Sequence, residues 1–181
     1  MRARSLFPFC LLLLLCACGR DQRTDLQKLS DFHKQLVAID HRVTAASNAY
    51  TSASTAALNS SNRGTLYQDA ATLRLSMVDL LPQVQAITVP DFKNKDAASD
   101  AGQALAALTA EISALQDTGD ALQAMSDPHN PALGQIAAAA QAQDQANSAA
   151  VEESSEIVQA YEDLGIAPDA VDLANGGLKT K

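Results

Sequence analysis

Three observations predict an all-α protein, an antiparallel up-down four-helix bundle. Alanine makes up about a fifth of the 181 residues, aromatic residues are only 4% and Trp is absent, so helix formers dominate and strand formers are scarce. Apolar residues recur alternately three and four apart along four stretches, and no segment sustains a two-residue alternation. Short separators rich in Pro, Gly, Asn and Ser divide the stretches, which favours antiparallel neighbours over a long rod of several chains.

The first helix is expected over 24–58, on the seam Leu29, Phe32, Leu36, Ile39, Val43, Ala46, Tyr50, Ala53 and Ala57. Asn59 to Gly64 ends it. The second, over 65–88, carries Leu66, Ala70, Leu73, Met77, Leu80, Val84 and Ile87, with Pro82 on the opposite face, where it kinks or breaks the helix. Val89-Pro90-Asp91 closes it, and Asp91 is placed to cap the third helix, 92–125, whose seam is Ala98, Ala101, Leu105, Leu108, Ile112, Leu115, Gly119 and Leu122. Asn130 as cap and Pro131 in the first helical position open the fourth, 131–164.

That fourth helix starts with Leu133, Ile136 and Ala140 and ends with Ile157, Tyr161 and Leu164, but its middle is weak, since the seam falls on Gln143, Asn147, Ala150 and Ser154. Three arrangements fit: a polar layer setting register, a rotation that turns the alanines inward, or a face kept for a partner. Gly165 and Pro168 stop the helix. A short turn over 169–175 and a loose tail over 176–181 follow, so the folded domain spans 24–175.

The first residues have a separate job. Arg2 and Arg4 precede an apolar run from Leu6 to Ala17. As a helix this run is roughly 18 Å long, short of the ~30 Å hydrocarbon core, and a basic start with small residues at its end describes a secretory signal peptide. Its end, Leu15-Cys16-Ala17-Cys18-Gly19, resembles the lipobox of bacterial lipoproteins. The resemblance covers residues 1–20 only. It implies that 1–17 is a cleaved signal peptide, that Cys18 receives a diacylglyceryl group and usually an N-acyl chain, and that 18–23 is a lipidated tether to a membrane. Cys16 departs slightly from the usual small residue and is a rival acceptor, against which Leu14 and Leu15 are too bulky. Gly19 in place of Asp after the acceptor implies outer-membrane sorting, facing the periplasm of a Gram-negative host.

All three cysteines, Cys10, Cys16 and Cys18, lie at or before the expected cut, leaving the domain free of thiols, as suits an oxidising compartment. Cleavage also removes Arg2 and Arg4, so eleven basic residues face 21 acidic ones and the net charge moves from −8 to −10. Such a surface repels phosphate backbones and anionic headgroups, which argues against nucleic acid as a partner and against a second, polybasic membrane contact.

Candidate chemistry is sparse. His33 and His41 stand eight apart on one helix with Asp40 between them, too far apart to share a metal, and neither follows a Glu at the spacing of di-iron bundles. His129 lies in a Pro-rich connection. Glu152, Glu153 and Glu156, with Glu162 and Asp163 further on, make the sharpest charge cluster; Glu152 and Glu156, four apart on one face, are its only metal candidates, for a hard cation, and a solvated outer face explains them as well. There is no free Cys, no G-x-S-x-G, no H-E-x-x-H and no glycine-rich phosphate loop, so no catalytic residue and no cofactor is expected. The sequence therefore predicts a non-catalytic, lipid-anchored envelope protein that binds another protein or the cell wall or acts as a spacer. A periplasmic small-ligand or metal-binding bundle is the alternative, and an immunity protein against a periplasmic toxin a minor one.

Overall fold

The computed structural model describes residues 23–59, 63–127, 129 and 131–180. Four helices run through them: α1 (Asp25–Asn59), α2 (Arg63–Gln85), α3 (Lys95–Ser126) and α4 (Ile136–Asp163), with 3₁₀ turns at Leu133–Gln135 and Pro168–Ala170. They form the expected antiparallel four-helix bundle. The N-termini of α1 and α3 and the C-terminus of α4 share one end: Asp25 Oδ2 accepts the backbone N–H groups of Lys93 and Asn94 at 2.8 and 2.9 Å, and Asn94 Nδ2 donates to the Asp163 carbonyl at 2.8 Å.

Local chemistry sets several of the helix ends. Thr24 and Gln27 form a reciprocal capping box, Thr24 Oγ1 accepting from the Gln27 N–H and Gln27 Oε1 from the Thr24 N–H. α4 closes in a Schellman turn, with Gly165 N–H donating to the Glu162 carbonyl and Ile166 N–H to that of Tyr161.

Three expected boundaries need correction. Asp91 does not cap α3. Residues 88–94 stay non-helical so that Phe92 can sink into the core, 1% exposed, and Asn94 is the cap, accepting from Asp96 and Ala97. α4 begins at Ile136 behind a 3₁₀ turn, so Pro131 is not its first residue; Asn130 lies outside the described residues, and the observed capping position is Gln135. The tail is not loose from Gly176. The chain after the Pro168–Ala170 turn, shorter than the turn expected over 169–175, makes a bridge between Val171 and Leu178 and lays Gly176 and Gly177 against α1. A Cβ at Gly176 would stand 2.8 Å from Lys34 Cα, and φ is +72° there, so both space and backbone demand glycine. Pro82 does not break α2, which continues to Gln85, and the residue is exposed.

The core follows the predicted seams on α1, α2 and α3, with Leu29, Phe32, Leu36, Val43, Met77, Leu80, Leu108 and Ile112 buried. On α4 the rotated arrangement is the one observed. Ala139, Ala142, Ala146 and Ala149 are buried while Gln143 and Asn147 are exposed, and so are Ala140 and Ile136, the latter 58% exposed. The alanines serve packing, because the α3–α4 contact is the most extensive in the molecule and the α1–α4 contact the thinnest between neighbouring helices. Small side chains let two backbones approach closely. Large ones hold them apart.

Candidate functional site

On α3, the buried positions Ala104, Ala107, Glu111, Ala114, Thr118 and Ala121 follow three-and-four spacing, and on α4 so do Ala139, Ala142, Ala146, Ala149 and Glu153. Each stripe of small residues is interrupted by one glutamate. The helices run antiparallel, and Ala121 lies beside Ala142, so the register brings Glu111 level with Glu153. From α1, Asp40 enters the same layer. One carboxylate oxygen from each of Asp40, Glu111 and Glu153 lies within 4.8 Å of the other two.

Both glutamates are 8% exposed and Asp40 is half-buried. Among the described residues none of the three forms an ion pair; the recorded pairs are Arg23–Asp31, Arg74–Asp120 and Lys95–Asp91, all at exposed side chains. Glu111 Oε2 is buried without a hydrogen-bond partner. Three close carboxylates in a low-dielectric layer resist ionising together. Burial, reinforced by Asp40, pushes Glu111 up to about 7. Burial, with Asp40 and then Glu111 adding to it, pushes Glu153 up to about 8. Asp40 is raised by burial as well, against the opposing charge of His41.

The layer opens to a small cavity of about 100 Å³ between α1 and α4, lined by His33, Asp40, Glu153, Ser154, Ile157 and Leu173 among others. His33 is 2% exposed. Its Nδ1 accepts the Gly177 N–H at 3.1 Å and its ring meets Tyr161 edge-to-face, with centroids 5.7 Å apart. Burial holds its pKa down at about 4, the nearby Asp172 opposing. A neutral imidazole accepting at Nδ1 keeps its proton on Nε2. The tail therefore locks onto α1 through this histidine and fills the widest seam of the bundle.

The sequence-predicted candidates are dispersed. Glu152 is exposed, and Glu156 is half-buried near Asp100, on whose carboxyl it acts together with Asp163 and Asp96. The residue between them, Glu153, is the one turned inward. His41 and His129 are exposed. Cys18 lies outside the described residues. The sequence marks Glu153 only as a member of an acidic cluster and does not single out Glu111, and the signal that locates both is a carboxylate standing where an alanine stripe calls for another small residue.

Compared with protein-family models, curated proteins and solved structures, the chain matches none. Fold and site thus define a class only, an antiparallel helical bundle with a carboxylate cluster in its core. Among the described residues no helix is long and apolar enough to cross a membrane.

Proposed function

We propose that this chain is a bacterial lipoprotein, anchored through Cys18, whose bundle works at the membrane surface by non-covalent binding rather than catalysis. The observation that carries the reading is the lipobox-like Leu15-Cys16-Ala17-Cys18 placed seven residues before the first helical residue, Asp25. Seven residues reach at most about 25 Å when fully extended. A lipid on Cys18 then holds the bundle close to the bilayer, with the α1 and α3 N-termini and the α4 C-terminus nearest the membrane. Two or three acyl chains supply a stable anchor, each buried CH₂ contributing about 0.8 kcal/mol, and the acidic surface keeps the domain from lying flat on anionic headgroups. The binding partner, on this reading, is an envelope protein or the cell wall.

Mass spectrometry of the mature protein tests the anchor: two or three acyl chains on an N-terminal Cys18 and no free thiol are expected. Cys18→Ala should move the protein out of the membrane fraction with its helical circular dichroism unchanged. A Cys18→Ala protein that remains lipidated and membrane-bound overturns the assignment and points to Cys16. Crosslinked pull-down from intact cells addresses the partner.

A further inference from the structure

Independently of the membrane address, we propose that Asp40, Glu111 and Glu153 form a binding site for one oxygen-preferring divalent cation, of which Ca²⁺ fits best. Three different helices deliver one carboxylate each to a single point of the core, and convergence from separate elements sets this group apart from the charged faces elsewhere on the molecule. Glu111, more than nine-tenths buried, brings its carboxylate to the cluster and has in Oε2 an oxygen that no other group satisfies. A buried acceptor left unpaired is costly, and a cation removes the cost for all three side chains at once.

Donor chemistry and dimensions select the ion class. Every donor is a carboxylate oxygen, which suits Ca²⁺, Mg²⁺ or Mn²⁺ and not thiolate-seeking metals. His33, which lines the same cavity, has its Nδ1 engaged by the Gly177 N–H. A triangle of oxygens with sides no longer than 4.8 Å has a centre at most about 2.8 Å from each corner, a limit that accommodates Ca²⁺ at 2.3–2.6 Å, and the adaptable shell of Ca²⁺ suits three carboxylates from separate helices better than the strict octahedron of Mg²⁺. Three carboxylates leave positions over in a shell of six to eight ligands, and the cavity of about 100 Å³ beside Asp40 and Glu153 has room for several waters to fill them. The ion would tie α1 to the α3–α4 pair across the thinnest contact of the bundle.

The test uses the full-length protein in detergent, stripped with chelator and titrated separately with Ca²⁺, Mn²⁺ and Mg²⁺, read by calorimetry and thermal unfolding. One equivalent of Ca²⁺ should bind with sub-millimolar affinity, Mg²⁺ more weakly, and the melting temperature should climb with ion concentration. Glu111→Gln and Glu153→Gln should each weaken Ca²⁺ binding tenfold or more, while Glu152→Gln on the exposed face of α4 leaves it unchanged. If either core variant fails to fold, Asp40→Asn at the half-buried edge should show the same loss. Absence of binding to all three ions at several millimolar overturns the proposal and leaves the lipid-anchor reading intact. Binding that survives in Glu111→Gln and Glu153→Gln places any ion elsewhere and overturns it equally.

Discussion

The α3–α4 and α1–α4 seams are built from opposite materials. Across α3–α4 the buried residues are Ala104, Ala107, Ala114 and Ala121 facing Ala139, Ala142, Ala146 and Ala149, so the helices close on each other along most of their length. Across α1–α4 the fillers are His33, Ile157, Tyr161 and the returning tail, and the helices stand apart. A narrow seam gains from many close contacts while burying little apolar area per residue. A wide seam depends on a few large side chains and has room for polar groups. The three carboxylates sit where the two seams meet.

Emptying the wide seam should have the largest effect. Tyr161 is fully buried beside His33, and Tyr161→Ala is expected to cost about 3–5 kcal/mol, read from chemical denaturation. Acidification acts on the same seam. His33 has a native pKa of about 4 against an ordinary 6.5, so between those values the unfolded chain binds a proton that the native chain refuses. Stability then falls as pH drops from 6.5 through 4, by on the order of 3 kcal/mol in total, and His33→Gln should flatten that slope. Should the acid loss persist in His33→Gln, the tail lock is not its origin.

Crowding the narrow seam ranks next. Ala146→Leu, at a position 2% exposed, should cost about 1–3 kcal/mol by forcing α3 and α4 apart; a neutral result would mean that the alanine contact is looser than the geometry shows. The meeting point behaves with the opposite sign. With chelator present, the raised values of Glu111, about 7, and Glu153, about 8, make the native state hold more protons than the unfolded chain between about pH 4.5 and 8. Stability there falls as pH rises, and Glu153→Gln should lessen the fall. Smallest of all, Ile136→Ser on the exposed start of α4 should stay within about 0.5 kcal/mol.

Much of this was legible in the residues. The seams of α1 and α2 and the large residues of the α3 seam, Leu108, Ile112 and Leu115, named much of the core, whereas the buried small residues Ala104, Ala107, Ala114 and Ala121 of α3 went unnamed. The start of α4 was misplaced because Leu133 and Ile136 look like the head of an apolar seam, yet Ile136 faces solvent and the buried stripe begins at Ala139. Alanine carries too little apolar contrast for periodicity to say which side of a helix faces inward. Glu152 and Glu156 attracted attention by their spacing for the same reason: without the orientation of α4, Glu153 was one acid among several.

The sequence by itself determined the helical class, the four helices of the described residues and the acidic charge, because propensity, periodicity and composition are local properties of the chain; the address proposed at Cys18 rests on a local pattern of the same kind. Tertiary structure alone decided the rotation of α4, the docking of Gly176 and Gly177 on α1, and the meeting of Asp40, Glu111 and Glu153, residues separated by as many as 113 positions. Those outcomes depend on how closely neighbouring backbones approach, and that distance is set jointly by side chains on several helices.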